Sequence, residues 1–217
     1  MRFTLTATAL LASLFSANAQ NFNNNVTGIE GTWSTGSGAV STGGQICIPG
    51  TLETTTFTYP NNTGISYAFT EDGFFEEVRY RYNANATNPQ CITGFISWQH
   101  GTYTFNGDGL TLTPFQSDGR IQVQDPCAAV TNQITYYNNV MQMKNWAIIV
   151  DPLTARYTLN LNQFDGAPLP PMYLIAKPPN MLPTHTLTGT NSSGQTSTRR
   201  RRSVTSLLKQ LVKGESE

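Results

Sequence analysis

From Glu30 onward the chain alternates apolar and polar side chains with a period of two and reverses direction at short intervals. That pattern restricts the fold more than any other feature, because a helix needs apolar residues three and four apart. Ile65, Tyr67 and Phe69 alternate with Ser66, Ala68 and Thr70 before Glu71-Asp72-Gly73 turns the chain, and Phe74 to Tyr82 reads as the returning strand. Tyr103 and Phe105 share one strand face, and Asn106-Gly107-Asp108-Gly109 is a hairpin signal because Gly and Asn tolerate positive φ. Leu110 and Leu112 continue on the partner strand. Trp146 to Val150, a turn at Asp151-Pro152, and Tyr157, Leu159 and Leu161 predict another hairpin. Met172 to Ala176 reads as a last strand, ended by Pro178-Pro179. Eight or more short strands predict an all-β domain, either a single antiparallel barrel or a β-sandwich.

Gly31-Thr32-Trp33 favours the barrel. It resembles the Gly-x-Trp segment of lipocalin-like barrels, whose Trp packs across the barrel floor against a basic residue of the last strand. Lys177 is the residue placed to pair with Trp33 in that way.

The first 19 residues carry a different message. Met1 and Arg2 precede an apolar run from Phe3 to Phe15, and Ala17-Asn18-Ala19 offers a small-x-small cleavage site, as in a secretory signal peptide. The apolar run is shorter than the roughly 20 residues that span a bilayer as a helix. Residues 20–183 are then one lumenal domain, and residues 184–217 a Ser/Thr-rich linker with a basic tail. The linker composition cannot bury enough surface to order itself. Arg199 to Arg202 form a potential dibasic processing site, and the Val204–Lys213 stretch permits weak contact with a membrane surface. Four sequons, at Asn25, Asn61, Asn85 and Asn191, fit a glycosylated secretory protein. In an oxidising compartment two of Cys47, Cys91 and Cys127 should pair. Cys91 and Cys127 bracket a strand-rich segment, while Cys47 is either buried and free or joined to another chain.

Enzymatic and nucleic-acid readings find little support. Only 12% of residues are charged. The body carries 11 acidic against 6 basic residues, the wrong balance for neutralising phosphates. His100 reads as a structural histidine, and His185 falls in the linker. Glu76 and Glu77 are neighbours on one strand and point to opposite faces, unlike the facing carboxylates of a glycosidase. They read as a solvated strand face and partners for Arg79 or Arg81. No catalytic, metal-binding or cofactor-binding residues are expected.

Several blocks in order resemble a fungal family named for reversal of TOR lethality. They include Gly64-Ile65-Ser66-Tyr67, Phe69 to Glu77, Gln99-His100-Gly101-Thr102-Tyr103, Leu112-Thr113-Pro114-Phe115, Asp118-Gly119-Arg120, Asp125-Pro126-Cys127, Phe164-Asp165-Gly166 and Pro178 to Thr184. The set spans roughly Gly28 to Thr184. The resemblance implies an endoplasmic reticulum chaperone for secretory and cell-wall proteins, needed for normal cell-wall 1,6-beta-glucan. It also implies secretory client proteins, with other chaperones as further partners, and it matches Cys91 and Cys127. The stretch Gly36 to Pro60 departs from the family pattern and introduces Cys47. The family's C-terminal membrane span has no counterpart after Arg199, which predicts a soluble lumenal or secreted form, or a shortened chain. A folding factor would hold clients on exposed aromatic surface, for which Phe74, Phe75, Tyr80 and Tyr82 are candidates. Two other readings remain: a small-ligand or glycan carrier using a barrel cavity, and a structural wall protein.

Overall fold

A computed structural model describes residues 26–188. Its strands are β1 (Gly31–Thr35), β2 (Cys47–Ile48), β3 (Thr56–Phe57), β4 (Gly64–Phe69), β5 (Phe74–Asn83), β6 (Thr93–Asn106), β7 (Gly109–Pro114), β8 (Arg120–Gln124), β9 (Asn132–Tyr136), β10 (Met141–Val150), β11 (Tyr157–Gln163) and β12 (Met172–Ala176). Eight of these, β1, β4, β5, β6, β7, β10, β11 and β12, pair antiparallel in chain order. β12 returns to pair with β1, so the sheet closes. This is a closed up-and-down antiparallel barrel and not a sandwich. The predicted hairpins are all present, because each was set by local turn chemistry. Gly73 and Gly107 sit at φ +90° and +61°, where a Cβ is penalised.

Two hairpins are inserted into this meander. β2 and β3 form the first. The second is β8–β9, and it arises because β6 is long enough to serve two neighbours along one edge. Gly101–Asn106 pairs with β7, whereas Gly94–Trp98 pairs with β8. The fork needs a glycine: a Cβ on Gly101 would lie 2.6 Å from the Cα of Pro114 and closer still to the Thr113 carbonyl.

The interior is filled by Trp33, Tyr67, Phe69, Phe75, Leu110, Leu112, Ile148, Leu159, Leu161 and Met172, with others. Trp33 is fully buried there, but its indole N–H donates to the Ile29 carbonyl at 2.7 Å. The pairing expected with Lys177 is not what the structure uses. The Lys177 ammonium lies 3.2 Å from the Glu30 carboxylate and its side chain is 45% exposed, because the last strand ends where water can solvate it.

A second apolar layer lies outside the wall. Val40, Ile46 and Cys47 pack on Val78, Ile96 and Trp98, joined by Phe57, Tyr59, Leu182 and Leu187. Cys47 is free and fully buried. Burial, followed by the nearby Glu76 charge, pushes its thiol far above the ordinary range, which makes it inert. The first residues of the expected linker are also part of this layer, since Leu187 and Thr188 are hydrogen-bonded to Asp118. The expected signal peptide, Asn25, Asn191 and the basic tail lie outside the described residues.

Cys91 and Cys127 are joined, Cα to Cα 5.5 Å, and tie the β5–β6 loop to the β8–β9 loop across 36 positions of chain. Closing a loop of that length stabilises by about 3–4 kcal/mol in the chain-entropy model. Replacing both residues with Ala is expected to lower unfolding free energy by that amount, read from urea titration, with the far-ultraviolet β signature retained.

Candidate functional site

β5 sets the polar architecture. Its alternation sends Phe75, Glu77 and Arg79 into the barrel and Glu76, Val78 and Tyr80 to the outer wall. Glu76 and Glu77 therefore do point to opposite faces, yet neither is solvated: they are 0% and 1% exposed. The correction has a plain cause, since the outer face of β5 is covered by a layer that strand periodicity does not reveal.

Inside the barrel, Glu77 accepts hydrogen bonds from the Tyr67 hydroxyl at 2.8 Å, from Gln99 Nε2 at 2.5 Å and from Arg79 Nε. Arg79 Nη2 donates to the Tyr67 oxygen at 2.6 Å and reaches Met141 sulfur at 3.4 Å. Burial first, then the Glu77 charge, pushes the Tyr67 phenol well up, so it stays a neutral donor. A buried carboxylate tolerates desolvation when close donors surround it, as Tyr67, Gln99 and Arg79 do here.

On the outer wall, Glu76 accepts the backbone N–H groups of Gly43 and Leu182, each at 2.6 Å. Burial raises its carboxyl despite those two bonds. His100 Nε2 lies 2.7 Å from Asp118 Oδ2. Asp118 also accepts Leu187 N–H at 2.6 Å, Thr188 N–H at 2.8 Å and the Thr188 hydroxyl at 2.6 Å. Arg120 holds the carbonyls of Ser117 and Gly50, each at 2.7 Å, with its guanidinium 4.4 Å from the Tyr136 ring centre. These charges fasten chain segments to the barrel. The His100–Asp118 pair is roofed by Leu187 and Thr188, with the His100 ring held between a tilted Trp98 and an edge-on Phe115, and it is closed to substrate.

One part of the sheet keeps its backbone groups available. β9 ends the strand order and pairs only with β8 among the described residues. Tyr137 N–H donates to Gly119 and Asp125 N–H to Thr131, which sets the phase of the ladder. By alternation Gln133 and Thr135 bond to β8, while the N–H and C=O groups of Asn132, Ile134 and Tyr136 face outward. The edge Asn132–Tyr136 carries no charge and no proline, the usual devices that blunt an exposed strand. Beside it runs a groove of about 510 Å³ lined by Tyr80, Tyr82, Ile92, Gln124, Pro126 and Asn132. Tyr82, Ile92 and Val130 are exposed apolar side chains around this end, and Tyr136 is exposed at the other end of β9.

Of the four aromatic residues expected to hold clients, Tyr82 is 55% exposed and Tyr80 is half-buried against Tyr59. Phe74 is half-buried, and Phe75 is core, so it cannot serve. β8 and β9 escaped the sequence reading because each is only five residues long, and in β9 Asn132 and Gln133 put a polar amide on both faces. Asn61 and Asn85 lie exposed on loops.

The family model of a fungal chaperone for protein-folding within the endoplasmic reticulum, Rot1, matches residues 29–216. The chain belongs to the Rot1 family. Protein ROT1 of Yarrowia lipolytica is 44% identical over 86% of this chain and 74% of its own length. Its counterpart in Aspergillus niger is 44% identical over 84% and 77%, and that of Schizosaccharomyces pombe 44% over 82% and 74%. No solved structure matches. The chain is therefore a chaperone of protein folding in the endoplasmic reticulum, built on a closed β-barrel carrying one disulfide between described residues. Among the described residues no helix is long and apolar enough to cross a membrane.

Asp118 makes the outer clasp sensitive to acid. Burial alone would raise its carboxyl, but the bonds from His100, Thr188 and Leu187 outweigh that and hold it well below the ordinary 3.8. A depressed carboxylate contributes stability that is complete above its unfolded value and is lost as pH falls toward the folded one. Asp118→Asn is expected to cost about 3 kcal/mol near neutrality, as for one partner of a buried pair. In urea titrations at stepped pH, the gap to the parent protein should narrow steadily below about pH 4.

Proposed function

We propose that this chaperone holds extended segments of immature secretory proteins by adding them as a further strand to β9. The observation that carries the reading is the outward row of backbone groups at Asn132, Ile134 and Tyr136 on an uncharged edge. A polypeptide that has not folded still has unpaired N–H and C=O groups, and strand addition satisfies them without regard to sequence. The adjoining groove takes alternate apolar side chains of the client against Tyr82 and Ile92. The disulfide holds the groove's two loops in place, which lowers the ordering cost of binding.

In this reading the protein makes and breaks no covalent bonds, and it works in the lumen after removal of residues 1–19. Glycans at the sequons Asn61 and Asn85 keep the surrounding loops soluble. Its clients include the secretory proteins that build the wall, so 1,6-beta-glucan falls when the chaperone is lost.

The test is aggregation of a denatured, reduced glycoprotein followed by light scattering. Ile134→Pro removes an outward N–H while leaving the β8 ladder bonds, and Gln133→Lys places a charge on the edge. One lost backbone bond is worth about 1 kcal/mol, so about fivefold more of the Ile134→Pro protein should be needed for half-suppression, and more of the Gln133→Lys protein than of the parent. Amide exchange at Asn132, Ile134 and Tyr136 should slow when client is added to the parent protein. Unchanged suppression by both variants, with no slowing at β9, would remove the edge from the mechanism.

A further inference from the structure

The barrel interior is packed at its centre but open where β4 begins and β5 ends. A pocket of about 380 Å³ lies there, lined by Ile65, Arg79, Arg81, Phe95, Ser97 and Tyr137 among others. We propose that this mouth binds a small amphiphilic anion, a carboxylate or phosphate carried on a short apolar body.

The argument starts from two arginines. Arg79 and Arg81 are two apart on β5, so both project to the same face of the strand. Arg79 uses Nε and Nη2 to hold Glu77, Tyr67 and Met141. Those bonds lock the plane of the guanidinium, and the side chain, 29% exposed, lines the pocket. Arg81 is steadied differently, with its guanidinium 5.2 Å from the ring centre of Phe95. Glu77 offsets one of these two charges, and no carboxylate is among the residues lining the pocket. The surplus positive charge therefore stands in a concave site with low-dielectric walls, which concentrates anions. A carboxylate or phosphate oxygen pair matches the planar fork of a guanidinium. Ile65, Phe95 and Ile121 supply apolar wall for the rest of the ligand, and the volume lies near the small end of the range for small-molecule pockets.

The two sites border each other at Tyr80, which lines both, but Arg79 and Arg81 line only this pocket, whereas the client strand would add along β9 on the far side of β8. Failure of one reading leaves the other standing.

The probes are hexanoate, hexyl phosphate and hexanol, each titrated into the full chain and followed by amide chemical shifts. Saturable shifts at Ile65, Phe95 and Ser97 are expected with one or both anions, and hexanol should bind about tenfold more weakly. The stronger of the two anions identifies the headgroup. Arg81→Gln should weaken the anion about tenfold while leaving aggregation suppression unchanged. Ile65→Trp, which fills the mouth, should abolish the shifts in a protein that keeps its fold by circular dichroism. Equal binding of hexanol and the anions, shifts that never saturate, or an Arg81→Gln protein with parent affinity would overturn the proposal.

Discussion

Glu76 and Glu77, adjacent on β5 and both out of water, set the terms for the rest of this structure. An ion stripped of solvent needs partners at close range, and strand geometry forbids neighbouring side chains from sharing them. The inner carboxylate is satisfied within the barrel by Tyr67, Arg79 and Gln99. The outer one is satisfied by backbone groups of Gly43 and Leu182, which lie far from β5 and from each other in sequence. Those two bonds draw the segment after β1 and the segment after β12 onto the same wall. Val78, Ile96 and Trp98 are dry because of that covering, and Asp118 repeats the device a few residues further along the C-terminal segment.

Closure of the barrel has a second consequence. Each of the eight wall strands has a neighbour on both sides, and closure is the one arrangement that removes sheet edges. The fork in β6 breaks that economy by feeding β8 and β9 away from the wall, leaving backbone groups of β9 unpaired. In an ordinary domain an unblunted edge is a liability for aggregation, and strand addition of clients, as proposed above, would give it a use.

The interior polar network borders the open mouth of the barrel. Arg79 is held by Glu77 and Tyr67, and its side chain lines the pocket. A cation held rigid by a buried anion is pre-organised toward a second anion, since its orientation is settled before any ligand arrives.

The hairpins, the last strand and the burial of Trp33 were legible from the sequence because each rests on neighbours close along the chain: alternation, turn glycines and a Gly-x-Trp segment. Membership of a secretory chaperone family was legible from blocks in order, and Cys91 with Cys127 from the same pattern. Other features depended on contacts between distant segments. The burial of Glu76 and Glu77, the clasp on Asp118, the inert Cys47, the salt bridge of Lys177 with Glu30 and the open edge of β9 all belong to this group. Periodicity assigns a residue to a face, but only the tertiary structure decides what covers that face. On β5 the covering comes from segments 33 and 106 positions away from Glu76.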